Sequence, residues 1–159
     1  MKRPPTLLAL AILLTPIAAF AAERAPAEIV ADIYRIAGGP QGDFQTSGIE
    51  DKAVRAQLSR SLVKAMDAMN KRSKKTNEPI LDFDPISDSQ DPSVNDLKIA
   101  PEAGDPAHPI VDASFDSGAP ERRIVRYIFV REGKGWKIDD ISGGAGEGKW
   151  DLREIITPK

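Results

Sequence analysis

Leu81-Asp82-Phe83-Asp84-Pro85-Ile86-Ser87-Asp88-Ser89-Gln90-Asp91-Pro92 is the stretch at which this chain changes character. Before it, apolar residues recur at the spacing of a helix; after it, they alternate as they do in strands. The stretch holds four aspartates and two prolines beside the apolar Phe83 and Ile86. That is too acidic for a core strand and too apolar for a free linker. It therefore reads as a hinge held against the body of the fold, built on Asp82, Phe83, Asp84, Pro85, Gln90 and Asp91. Its Asp and Ser side chains are expected to accept backbone N–H groups in turns, with Phe83 and Ile86 as the pins.

Upstream, Pro26 suits the first turn of a helix running to Ala37, with Ile29, Val30, Ile33, Ile36 and Ala37 on one face. Gly38-Gly39-Pro40 stops it, and residues 41–48 form a polar loop. Val54, Leu58, Leu62, Ala65, Met66 and Met69 then predict one longer helix from about Glu50 to Ser73. Lys71, Arg72, Lys74 and Lys75 close that helix where cations favour its dipole, so the basic run reads as a solvated helix end. Downstream, four strands are expected over 96–100, 109–116, 122–131 and 136–142, with turns at Ser117-Gly118-Ala119-Pro120 and Gly133-Lys134-Gly135. The tail from Trp150 to Ile156 fits a short helix or an edge strand. The sum is an α+β fold in which two N-terminal helices pack on a curved antiparallel sheet.

At the amino end, Met1-Lys2-Arg3 is basic, Leu7 to Phe20 is apolar, and Ala19-Phe20-Ala21 offers small residues where a signal peptidase reads. The expectation is a signal peptide over residues 1–21, cleaved after Ala21, an exported periplasmic location, and a single domain over 22–159. The apolar run is shorter than the ~20 residues a helix needs to span a bilayer, so no stable membrane insertion is expected after cleavage. The chain has no cysteine, so its core must suffice without disulfides. With 22 basic against 24 acidic residues, it lacks the basic surface that nucleic acid or anionic lipid requires.

Asp82-Phe83-Asp84-Pro85, the Gln90-Asp91 that follows, Trp136-Lys137-Ile138-Asp139-Asp140-Ile141 and Trp150-Asp151-Leu152-Arg153 together resemble a domain-of-unknown-function family of exported bacterial proteins. That family is placed in the cone-shaped superfamily of nuclear transport factor two, also called cystatin-like. The resemblance covers nearly the whole chain after the leader and implies a fold, not an activity. Members of the wider superfamily include isomerases and dehydratases with a pocket between helices and sheet, and also non-catalytic binding domains. Many relatives of this kind are tethered through a lipidated cysteine. This chain has none, which implies a soluble form.

Chemistry-bearing residues are sparse. Asp82, Asp84, Asp88 and Asp91 supply oxygens for a hard cation, but counting from Asp82 puts Ile86, Ser87 and Ser93 where a calcium loop needs an oxygen, a glycine and a bidentate Glu, so no metal is expected. Gly143 to Lys149 superficially fits a phosphate loop, yet Trp150 stands where Ser or Thr must ligate magnesium, and the reading is a flexible loop without a cofactor. His108, the one histidine, lies in a proline-flanked turn with no nucleophile assignable to it. Asp140 alternates in phase with Trp136 and Ile138, which places a carboxylate on an apolar strand face. Burial would raise its pKa and make it an acid/base candidate with Tyr127 and Arg126 near it, whereas a charge pair with Arg126, the expectation, would keep it ionised in a structural role.

The hairpin decides between those two partners. A three-residue Gly133-Lys134-Gly135 loop pairs Glu132 with Trp136 and sets Arg126 beside Asp140; an even loop pairs Arg131 with Trp136 and sets Tyr127 there. The three-residue loop is the expectation, because a two-residue turn would place Lys134 at positive φ. The functional expectation is a non-catalytic domain binding a protein partner or a small apolar ligand on the Trp136, Ile138 and Asp140 face. The alternatives are a small pocket enzyme of isomerase or dehydratase type, and an immunity or inhibitor protein.

Overall fold

The computed structural model describes residues 23–46 and 48–158; the expected signal peptide and its cleavage point lie outside the described residues. Helix α1 is Pro26–Gly38, with Pro26 in its first turn and the Glu28 carboxylate accepting from the Ala25 amide at 3.0 Å. Gly39 ends it at φ +65, a conformation that costs glycine little. The buried face is Ile29, Val30, Ile33, Tyr34 and Ala37.

The long helix expected over about 50–73 is interrupted. A 3-10 turn at Gly48–Glu50 leads into α2, Lys52–Arg55, and α3 begins only at Arg60 and runs to Thr76. Between them Leu58 makes a parallel bridge to Ile138, with Ser59 N–H donating to the Ile138 carbonyl at 2.7 Å and Ile138 N–H to Gln57 at 3.0 Å. Ser59 caps α3 by accepting from the Leu62 amide at 2.9 Å, which makes it a helix start rather than a helix interior. Val54, Leu58 and Leu62 are all buried, so their four-residue spacing records a shared core and not one continuous helix.

Five strands follow: β1 Asn95–Glu102, β2 Ile110–Asp116, β3 Arg123–Glu132, β4 Gly135–Gly143 and β5 Trp150–Asp151. They form an open antiparallel sheet in chain order, as the strand pattern predicts. Helix α4, Leu152–Ile156, closes the chain, so the tail is both edge strand and helix, and helices flank the sheet on both sides in sequence. Val111, Ala113 and Phe115 of β2 and Val125, Tyr127 and Phe129 of β3 alternate inward, each with almost no exposed surface. The Tyr34 ring of α1 meets Phe115 and Tyr127 edge-on at 6.0 and 6.3 Å between centroids. Such pairs add about 0.5–1.5 kcal/mol each beyond the area they bury. The space between α1 and the sheet is thus occupied by aromatic side chains.

The β3–β4 hairpin differs from the expected one. Arg131 pairs with Trp136 and Glu132 with Gly135, so the loop is the two residues Gly133 and Lys134. Gly133 takes φ +62 and Lys134 stays out of the positive-φ region, as in a turn that demands glycine at its first central position. The objection to an even loop, that Lys134 would be strained, holds only for the mirror-image turn with both residues left-handed. A register shift between Ile128 and Phe129 then skips Asp139, so that Ile128 pairs with Asp140 and Tyr127 with Ile141. This bulge reverses the phase of the strand and turns both Ile138 and Ile141 into the core.

Candidate functional site

The residues expected to share one face are dispersed. Ile138 is fully buried, whereas Trp136 is half-buried with the Arg131 guanidinium 4.4 Å above its ring. Arg126 lies across from Asp112 and holds it through two bonds of 2.8 and 2.7 Å, so the expected Arg126–Asp140 pair does not form. Tyr127 points into the core, where its hydroxyl makes no hydrogen bond with any described residue; burial pushes its pKa up. Tyr34 donates to the Ile86 carbonyl at 2.8 Å.

Asp140 sits at the corner of β4, β5 and α4. One of its oxygens accepts from the amides of Ile141 at 2.8 Å and Arg153 at 3.2 Å. Burial and the nearby Asp151 carboxylate raise Asp140 to about 6, against the lowering effect of those two amides. Asp151 itself caps α4 through the Glu154 amide at 3.0 Å. Arg153 is turned to the neighbouring residue, bonding the Asp139 carbonyl and carboxylate at 2.6 Å each. The acid/base candidates Asp140, Tyr127 and Arg126 therefore occupy three separate positions.

The hinge is held as its composition predicts, and it walls the main cleft. Asp84 and Ser89 exchange backbone bonds of 3.0 and 3.4 Å, closing a tight loop in which Pro85, Ile86 and Ser87 are buried. The Asp84 carboxylate accepts from the Ile49 amide and the Ser87 hydroxyl, both at 3.2 Å, tying the hinge to the turn before α2. Burial pushes the Asp84 pKa up, opposed by bonds from Ile86, Ile49 and Ser87. Gly48, at φ +52, admits this carboxylate because a Cβ there would lie 2.6 Å from its oxygen. Gln90 donates to Asp82 at 3.2 Å, and Phe83 meets the Trp150 ring edge-on at 5.0 Å.

Between this hinge and the loop preceding α2 lies an open cleft of about 540 Å³. Phe44, Ile49, Leu81 and Phe83 give it apolar walls, and Glu50, Asp82 and Asp84 give it carboxylates. Its size is that of an ordinary small-ligand site. Neither Tyr127 nor Asp140 lines it or the other principal grooves.

Asp88, weighed in the sequence only as an oxygen ligand for a cation, is instead a clasp of the hinge. Its carboxylate, 8% exposed, takes the Arg123 guanidinium at 2.6 Å and the Trp150 indole N–H at 2.5 Å, joining the hinge to β3 and β5. No local pattern marks it, because both partners come from distant parts of the chain. Asp91 engages Ser89 through its backbone, its carbonyl accepting from the hydroxyl at 2.9 Å and its N–H donating to it at 3.0 Å. His108 is exposed and bonds Asp105 at 2.9 Å, three residues away. Among the described residues no group of three His, Cys, Asp or Glu is placed to hold a metal ion, and no helix is long and apolar enough to cross a membrane.

No protein-family model matches this chain, and no curated protein or solved structure is significantly similar to it.

Proposed function

We propose that this protein is an exported, non-catalytic binding domain whose ligand seat is the cleft beside the hinge. The observation that carries the reading is that cleft of about 540 Å³, whose apolar and carboxylate walls are tied together by the half-buried Asp84 through Ile49 and Ser87. Rigid walls matter because a preformed site spends little binding energy on ordering. The aromatic filling between α1 and the sheet supports a seat at the surface rather than inside a cone. The leader-like residues 1–21 support export to the periplasm, and an N-terminus at Ala22 by mass spectrometry is the expected result; Met1 in the mature protein would refute it. Membership of the nuclear transport factor two-like superfamily is part of the same proposal and rests on the sequence resemblance and the helix-then-meander order.

The enzyme reading has one observation in its favour, the Asp140 carboxyl raised to about 6. The cause lies in burial and the neighbouring Asp151, and two amides already engage one of its oxygens, so Asp140 is read as part of the α4 junction rather than as a free acid or base. An immunity or inhibitor role would use the hinge cleft or its rim against a protein target.

The test compares the protein with Gln45→Trp, which fills the cleft from an exposed rim position without touching the core. Both are used to retain partners from a periplasmic extract. A specific partner kept by the wild type and lost by the variant is expected. Equal retention by both would refute the cleft as the seat.

A further inference from the structure

Resting on the hinge cleft as the binding seat, we infer that its occupant is a positively charged group on an apolar stem, presented as an arginine or lysine side chain of a peptide segment.

The first argument is charge. Glu50, Asp82 and Asp84 line the cleft, and among the described residues no Lys, Arg or His does. Arg55 bonds Glu50 at 2.8 Å from outside the lining, but the same guanidinium also serves Asp67 at 2.6 Å, so one cation is divided between two carboxylates. Among the described residues Asp82 meets only the neutral Gln90 amide. The walls are therefore net negative on a protein whose overall charge is only −2. An anion would be repelled there. A wholly apolar ligand would strip water from these carboxylates without compensation, which is costly.

The second argument is the apolar half. Phe44, Leu81 and Phe83 are half-buried, so part of each faces the cleft. Apolar walls beside carboxylates match the methylene stem and charged head of Lys or Arg, and aromatic faces favour a guanidinium in particular. The third is access. The exposed Gln45 and Gln90 flank the cleft, and its open side leaves room for a main chain to continue outside while one side chain enters.

The experiment is a 15N NMR titration of the protein, following the amides of Ile49, Asn70 and Gln90, with arginine, lysine, norleucine and glutamate, each capped by acetyl and amide groups. Capped arginine and lysine are expected to give saturable shifts at these amides, with affinity at least roughly tenfold above capped norleucine, a separation of about 1.4 kcal/mol. The affinity is expected to fall several-fold in Asp82→Asn, an exposed position whose loss leaves the core intact, and to fall with added salt. Norleucine or glutamate binding as well as the cations would overturn the cation inference while leaving the cleft as a seat. Uncapped arginine binding where capped arginine does not would overturn the peptide source. No response at these amides to any probe would overturn both this inference and the cleft reading beneath it.

Discussion

Replacing Asp140 by Asn removes a titration while keeping an oxygen able to accept from Ile141 and Arg153. The folded carboxyl stands at about 6, raised from 3.8 by burial and by Asp151. Because the folded pKa lies above the unfolded one, its stabilising contribution is complete below pH 3.8 and is lost as pH rises through about 6. At pH 7 and above, the wild type carries an ionised carboxylate in a place that disfavours it. Two pKa units would correspond to ~3 kcal/mol, and solvent screening at this half-exposed corner reduces that to about 1–1.5 kcal/mol. Asp140→Asn should therefore be more stable than the wild type by about 1 kcal/mol at pH 7.5, with the gap closing towards pH 4. Urea unfolding of both proteins at half-unit steps from pH 4 to 8 measures it. The difference between the two curves isolates this residue, since the likewise raised Asp84 is common to both. A variant less stable at pH 7.5, or a gap that does not change with pH, would refute the assignment of the shift to burial and Asp151.

Asp88→Ala strips Arg123 and the Trp150 indole of a buried acceptor and should cost about 2–4 kcal/mol in urea unfolding; under ~1 kcal/mol would show that the hinge does not depend on this clasp. Gly48→Ala places a methyl against the Asp84 carboxylate at φ +52 and should cost about 1–3 kcal/mol, whereas a neutral result would contradict the tight approach of turn and hinge. In the β3–β4 turn, Gly133→Ala should lose about 1 kcal/mol because Gly133 is left-handed, and Gly135→Ala should lose much less because Gly135 is not. The reverse order of losses, read from thermal unfolding, would restore the three-residue loop.

The hinge explains how helices and sheet are kept in one body. Asp84 reaches back to Ile49, Asp88 reaches forward to Arg123 and Trp150, and Tyr34 of α1 bonds the Ile86 carbonyl between them. Three buried or half-buried polar links therefore converge on five consecutive residues, 84–88. Each is expensive to break because its partner would be left desolvated. A cleft built on such a loop inherits its rigidity.

Residues close together in the chain determined much of this. Pro26 and Gly38-Gly39 bound α1, and alternation in 110–116 and 123–132 is enough to assign β2 and β3 and their inward faces. Asp, Ser and Pro around Phe83 and Ile86 announce a held loop. These signals are legible because local backbone preference and the period of apolar residues both act within a few positions. What only tertiary structure decided turns on single-residue choices. Ser59 starts a helix rather than continuing one because Leu58 bridges to Ile138. Asp139 is skipped in the β3–β4 ladder, which brings Ile138 and Ile141 to the same side and moves Asp140 from opposite Tyr127 to opposite Ile128, while Arg126 is taken by Asp112 of β2. Each alternative differs little in local energy, yet a one-residue slip moves every side chain beyond it to the opposite face. The deciding free energy comes from burying residues far apart in sequence. For the same reason the cleft itself, made from residues 44–50 against 81–92, has no signature in either segment alone.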